Sequence, residues 1–118
     1  MGSSFSVTSD VIESIPIIFL EGDMTSESNN DVMKTFLSLK EKHHPHNLII
    51  NFEKINYINS AGMATIINII QDLKEIQGEV KFVGLSEHIR GVMEIVGISD
   101  FVEIFNSNSE ALSEIMKR

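Results

Sequence analysis

The sequence predicts a single α/β domain in which a central mixed β-sheet of four to five strands packs with about four α-helices. Its 118 residues are enough for one continuous core. Short apolar runs rich in branched residues alternate with longer segments whose apolar residues recur at helical spacing. An opening pair of strands precedes this alternation. Such an order favours parallel pairing, right-handed crossovers and helices packed against the sheet.

Three strands are predicted in the first half of the chain. Apolar residues alternate across residues 4–14, which indicates one or two short strand pieces. The runs Ile15–Leu20 and Asn47–Phe52 are almost continuously apolar. Continuous runs of this length are typical of strands that are buried on both faces.

A helix is predicted between these two apolar runs. The Gly22-Asp23 pair is expected to end the preceding strand, and Thr25 or Ser26 to cap a helix that begins near Glu27. The helix should end at His43-His44-Pro45-His46, because proline disfavours helical geometry in the residue before it.

The clearest helical pattern covers Ala61–Gln77. Its apolar residues are predicted to share one face, and Gly78 is the expected C-terminal stop. The predicted face consists of Met63, Ile66, Ile67, Ile70 and Leu73.

The remaining elements follow in the same alternation. Val80–Val83 is predicted to be a strand, and a helix should open at Ser86 and end at Gly97. Phe101–Phe105 is predicted to be the last strand and Ser107–Lys117 the last helix.

Composition excludes several classes of function. The net charge is −8, and only nine basic residues are present, so direct binding to nucleic acid or to an anionic membrane is not expected. The absence of cysteine excludes disulfides and thiolate chemistry. No apolar run has the length of a membrane span or a signal peptide, so we expect a cytoplasmic protein. Residues 1–4 are expected to be a flexible N-terminus ahead of a domain over residues 5–117.

Motifs for catalysis, metal binding or cofactor binding are not found. Three of the four histidines lie together at residues 43–46, but adjacent histidines at a helix end usually point into solvent. The sequence contains neither an H-E-x-x-H motif nor a glycine-rich phosphate loop. Ser60 does not lie in a G-x-S-x-G elbow, and no histidine stands out as its base. The sequence therefore predicts a protein that is not an enzyme and binds no cofactor or metal.

The junction Asn59-Ser60-Ala61-Gly62 joins a strand-like run to the clearest helix. Asn59 or Ser60 could cap this helix, a contribution of about 1 kcal/mol. The small residues that follow would also leave the serine hydroxyl open, and Gly62 costs a helix roughly 1 kcal/mol relative to alanine. A serine at a helix N-terminus can accept a phosphate, because the free N–H groups there favour an anion. Both interpretations are open from these residues.

This junction and two further features resemble the STAS domain of bacterial anti-sigma factor antagonists. In that family, a strand leads to Asp-Ser-(Ser/Thr/Ala)-Gly-(Leu/Met) at a helix start, which is similar to residues 59–63. An early Gly-Glu-(Leu/Ile)-Asp turn corresponds to residues 22–25, and a Gly-(Leu/Ile) turn before the last strand corresponds to Gly97-Ile98. The likeness covers residues 5–117, nearly the whole chain.

The resemblance implies a phosphorylation switch with Ser60 as the acceptor. An anti-sigma factor that is also a serine kinase would phosphorylate Ser60, and a PP2C-type phosphatase would remove the phosphate. The unphosphorylated protein would bind the anti-sigma factor and release the sigma factor for transcription. The partner surface is expected to contain Asn59, Ser60, Ala61, Gly62, Met63, Asp23 and Thr25, although Met63 could equally belong to the core.

Two residues differ from the family's pattern. Asn59 and Thr25 both stand where the family has aspartate. These differences support an alternative, in which the same fold is a scaffold without phosphorylation, or a subunit of another complex such as a lipid-transport assembly.

Overall fold

The computed structural model describes residues 4–117, so the predicted flexible N-terminus lies outside the described residues except for Ser4. Five strands form one sheet in the order β1-β2-β3-β4-β5. The first two strands are antiparallel, and every later neighbour pair is parallel. The predicted mixed sheet is therefore confirmed. Its strands are β1 Phe5–Ile12, β2 Ile15–Met24, β3 Asn47–Ile58, β4 Glu79–Val83 and β5 Glu103–Phe105.

The described chain has four α-helices, as predicted. Ser86 and Ser107 cap the last two helices, because each hydroxyl accepts a backbone N–H from the first turn. Short 3-10 turns lie at Ser26–Ser28 and Ile98–Asp100. The α-helices are α1 Asn29–His43, α2 Ser60–Glu75, α3 Glu87–Val96 and α4 Asn108–Met116.

Two apolar cores lie on the two faces of the sheet. The larger core joins one face to α1, α2 and α3, with Phe36, Ile66 and Met93 among its buried members. The smaller core lies on the other face, where Ala111 of α4 packs with buried residues of β2, β3 and β4. The layers fix α2 against the sheet and leave its N-terminus at the end of β3.

The strand boundaries differ from prediction at three places. The Gly22-Asp23 pair does not end β2, which continues to Met24 with a shift in its pairing to β3. β3 extends six residues past its predicted end at Phe52, to Ile58. The last strand begins at Glu103, because Phe101 closes the preceding 3-10 turn. The C-terminal ends of β2 and β3, which both extend further than predicted, lie at the beginning of α2.

The face of α2 also differs in part from prediction. Ile69 is fully buried, whereas Ile67 and Ile70 are only partly buried at the edge of the core. The helix ends at Glu75, and Gln77 takes the left-handed conformation expected of a helix stop. Gly78 has another role: a β-carbon there would lie 2.8 Å from the carbonyl oxygen of Pro45.

A buried lysine stabilises the edge of the sheet that β4 and β5 form. The Lys81 side chain on β4 is only 1 % exposed, and its Nζ lies 3.0 Å from Glu79 Oε1 and 3.1 Å from Glu103 Oε1. Burying an ammonium is costly unless it is paired. The contact to Glu103 therefore ties the short strand β5 to β4.

Candidate functional site

The site is the junction between β3 and α2, where a single residue separates the two elements. Asn59 is the N-cap: its Oδ1 accepts the N–H of Gly62 at 2.9 Å, and its carbonyl accepts the N–H of Met63 at 2.9 Å. Ser60 is the first residue of α2 and is exposed. Of the two possible caps, the structure therefore has Asn59, and the Ser60 hydroxyl is not used for capping.

The end of β2 lies directly beside this junction. The N–H of Asn59 donates to the carbonyl of Met24 at 3.1 Å. A β-carbon on Gly62 would lie 2.5 Å from that same carbonyl oxygen. The structure thus brings the end of β2 at Met24, between Asp23 and Thr25, against the start of α2.

Thr25 forms local hydrogen bonds with Glu27 and Ser28. Its Oγ1 accepts the N–H of Glu27 at 3.2 Å, and its N–H donates to Ser28 Oγ at 3.0 Å. The Ser28 hydroxyl in turn donates to the carbonyl of Thr25 at 2.8 Å. Thr25 therefore caps the 3-10 turn, whereas the predicted helix begins at Asn29 and not near Glu27, and Thr25 has a structural role where the family's pattern has an aspartate. Asp23 beside it is half-buried.

The residues after Ser60 contribute unequally to the surface. Ala61 is half-buried, Gly62 is buried, and Met63 is only 4 % exposed within the main core. The glycine is required by its contact with the backbone of Met24, and not to keep the serine accessible. The exposed part of the motif is centred on Ser60, while Gly62 and Met63 fix the position of the helix end beneath it.

The helix end that carries Ser60 is suited to an anion, and the neighbouring strand end contributes one acidic residue, Asp23. The first turn of α2 contains no acidic residue, and the cap Asn59 is neutral. The N-terminus of a helix carries a partial positive charge and free N–H groups.

The predictions about metals and membranes concern residues elsewhere in the chain. His43, His44, His46 and His88 are all exposed. Within residues 4–117, no three histidine, aspartate or glutamate side chains are grouped so that they could hold a metal ion. No helix of this described part is long and apolar enough to cross a membrane.

One feature beside Ser60 was not predicted from the sequence. A shallow groove of about 300 Å³ runs from Ser60 between α2 and α3, and is lined by Met63, Ala64, Val92 and Val96. Val92 packs against the main core, and Val96 is 50 % exposed.

Replacing Asn59 tests its assignment as the cap. Asn59→Ala removes the acceptor of the Gly62 N–H and should lower the free energy of unfolding by about 1 kcal/mol. Asn59→Asp keeps an acceptor of the same shape and should cost little, because aspartate caps as well as asparagine. Urea denaturation of the three proteins measures both effects. Equal losses for alanine and aspartate would contradict the capping role.

Comparisons with known proteins agree with the fold and with the family that the sequence resembles. A family model for the STAS domain matches residues 6–111. The protein BtrV of Bordetella bronchiseptica, named as an anti-sigma factor antagonist, is 27% identical over 105 residues, which cover 89% of this chain and 90% of that protein. The anti-sigma-B factor antagonist of Listeria monocytogenes is 32% identical over 63 residues, 53% of this chain and 55% of that protein.

Among solved structures, the anti-sigma factor antagonist SpoIIAA in its unphosphorylated form superposes with a TM-score of 0.83. The match covers 96% of this chain and 98% of that protein at 15% sequence identity. At this identity the likeness concerns the fold.

Proposed function

The chain belongs to the STAS domain family, and we propose that it is an anti-sigma factor antagonist that is switched by phosphorylation of Ser60. The observation that carries the proposal is the position of Ser60: an exposed hydroxyl on the first residue of α2, not needed for the cap. The names of the two relatives support the same function.

In the proposed cycle, the unphosphorylated protein binds an anti-sigma factor, which then releases its sigma factor for transcription. The anti-sigma factor is also the serine kinase that phosphorylates Ser60, and a PP2C-type phosphatase reverses the reaction. The partner contacts the exposed Ser60, the half-buried Asn59 and Ala61, and the neighbouring turn at Asp23 and Thr25. The chain itself is a substrate and a binding protein, and not an enzyme.

The phosphate should act on the interface and not on the fold. A phosphoserine carries about −1.5 to −2 charges at pH 7. The N-terminus of α2 stabilises such a charge by about 0.3–1 kcal/mol, and by up to about 2 kcal/mol in favourable geometry. A partner bound over Ser60 would instead have to remove water from the phosphate dianion, and this desolvation costs free energy.

The proposed partners also indicate the cellular compartment in which the protein acts. Sigma factors act in the cytoplasm, so we place the protein there. The net charge of −8 suits a protein partner with a basic surface better than nucleic acid or an anionic membrane.

Incubation with ATP and the cognate anti-sigma kinase tests this proposal. Intact-mass spectrometry should show one added phosphate on the wild-type chain and none on Ser60→Ala. Ser26→Ala, which removes another exposed serine near the site, is the matched control and should be phosphorylated normally. No phosphate on the wild type would contradict the switch and favour the scaffold or lipid-transport alternative.

A further inference from the structure

The two edges of the sheet differ in how open they are to pairing with another strand. Among the described residues, β5 forms one edge with three residues, and β1 forms the other with eight. An edge strand presents unpaired N–H and C=O groups, and proteins usually protect it by short length, proline, lysine or a bulge. β1 contains no proline, lysine or arginine, and its pairing with β2 has no register shift. The β1 edge therefore lacks each of these protections.

The outward N–H and C=O groups of β1 belong to its odd-numbered residues. The N–H of Asp23 on β2 donates to the carbonyl of Ser4 at 3.3 Å, so the backbone of Ser4 faces β2. Alternate residues of an antiparallel strand face the same neighbour, so the even-numbered residues of β1 face β2 as well. The residues whose backbone groups face outward are Phe5, Val7, Ser9 and Val11.

Two copies of β1, paired antiparallel about a two-fold axis at Thr8, would use every outward residue. Side chains keep their own face of a continuous sheet, so an odd-numbered residue has to meet another odd-numbered residue. With the axis at Thr8, Phe5 lies opposite Val11 of the second copy, and Val7 lies opposite Ser9. Moving the axis by one residue would leave either Phe5 or Val11 without a strand partner. The sequence of β1 therefore selects one register for self-pairing.

The side chains that this register brings together suit one another. Thr8 meets Thr8 of the second copy, and Phe5 meets Val11. Pairs of threonines, and pairs of an aromatic with a β-branched residue, stabilise neighbouring antiparallel strands. Val11 is 36 % exposed in the single chain. Pairing would place Phe5 of the second copy beside it and cover part of this apolar surface.

Asp10 is the one charged residue of β1, and the register gives its carboxylate a partner. In the single chain, Asp10 Oδ1 accepts the N–H of Val11 at 2.8 Å. Pairing would transfer this N–H to the carbonyl of Phe5 and place Asp10 opposite Ser6, whose hydroxyl can donate to the released carboxylate. The two Asp10 residues would lie four residues apart along the strands, about 14 Å, so their repulsion would be screened at physiological salt.

We propose that the chain forms a dimer in which two β1 strands pair antiparallel about Thr8 and join the two sheets into one. Such a two-fold interface is closed, so association stops at two copies. The net charge of −8 on each copy opposes association at long range, so the dimer should become tighter as salt rises. The axis reverses the strand direction, so the two Ser60 residues lie at opposite ends of the joined sheet. The inference does not depend on the proposed function.

Cysteine cross-linking tests the register. The chain contains no cysteine, so a single introduced thiol reports on one position. Thr8→Cys would bring two Cα atoms to about 4.5 Å in a non-hydrogen-bonded pair, which a disulfide can span. Mild oxidation should convert most of this variant into a covalent dimer on a non-reducing gel. Ser6→Cys is the matched control and should stay monomeric on the gel, because its two copies would lie about 14 Å apart.

Sedimentation equilibrium measures the association without a cross-link. The wild-type chain should approach twice its mass of 13.2 kDa as its concentration rises. Ser9→Pro removes one outward N–H and leaves the pairing of β1 with β2 intact, so the dimer should dissociate at least about tenfold more readily. Ser9→Ala keeps the N–H and is the matched control, with an unchanged dissociation constant expected.

Support for the dimer requires both association of the wild type and selective cross-linking of Thr8→Cys. A wild-type chain that stays monomeric at every concentration would overturn the proposal and leave the edge to a strand of another protein. A dimer that cross-links equally through Ser6→Cys, or that Ser9→Pro leaves intact, would place the interface elsewhere and also overturn it. If Ser9→Pro does not fold, the two cysteine variants decide.

Discussion

Gly62→Ala should destabilise the domain by about 2 kcal/mol or more, although alanine favours helices over glycine by about 1 kcal/mol. The new methyl group would lie 2.5 Å from the carbonyl oxygen of Met24 and 3.0 Å from Cγ1 of Ile58. The first neighbour is backbone at the end of β2 and cannot rotate away. Either the start of α2 moves off the sheet, or β2 shifts at Met24, and both changes disturb the surface around Ser60.

Gly91→Ala is the matched control for this prediction. It is the same substitution inside another helix, at a position where a β-carbon meets nothing within 4 Å. It should stabilise the chain by up to about 1 kcal/mol. Guanidinium denaturation of both variants measures the difference. A Gly62→Ala protein as stable as Gly91→Ala would show that the contact between α2 and Met24 is looser than the structure has it.

Phosphorylation of Ser60 should weaken binding to the anti-sigma factor at least about 100-fold, which corresponds to about 2.8 kcal/mol. The loss arises because the free protein hydrates the phosphate at an exposed helix end, whereas the complex would enclose it beside apolar side chains. Phosphoserine installed at position 60 during synthesis makes the comparison independent of any kinase, and calorimetry with the purified partner measures both affinities.

The fold of the phosphorylated protein is the internal control. Because the positive end of α2 tolerates the charge, the free energy of unfolding should change by no more than about 2 kcal/mol. Backbone chemical shifts should change only near Ser60. Widespread shift changes would place the effect in the fold and contradict an interface mechanism.

The alternation of strands and helices could be predicted because each element has the apolar period of its type. The C-terminal ends of β2 and β3 could not be predicted from the sequence. Residues 54–58 of β3 pair with β2 beyond the last residue that pairs with β4, and the exposed Asn56 and Tyr57 separate the buried Ile55 and Ile58 there. A half-buried extension of this kind looks like a loop when only continuous apolar runs are counted.

The residues of the candidate site come from the resemblance and stay a prediction, whereas the structural role of each one could not be predicted. Sequence motifs placed Asn59, Ser60 and the turn at Thr25 in one region, and the hydrogen bond from Asn59 to Met24 joins the two strand ends. Which residue caps α2 depends on side-chain geometry, and asparagine and serine cap about equally well.

Release of a sigma factor from a preformed complex tests the central claim most directly. The cognate anti-sigma factor and its sigma factor are mixed first, and the chain is then added while free sigma factor is measured by its binding to core RNA polymerase. Unphosphorylated chain should release the sigma factor in proportion to the amount added, and chain with phosphoserine at position 60 should release none at the same concentration. Equal release by the two forms, or none by either, would contradict the account.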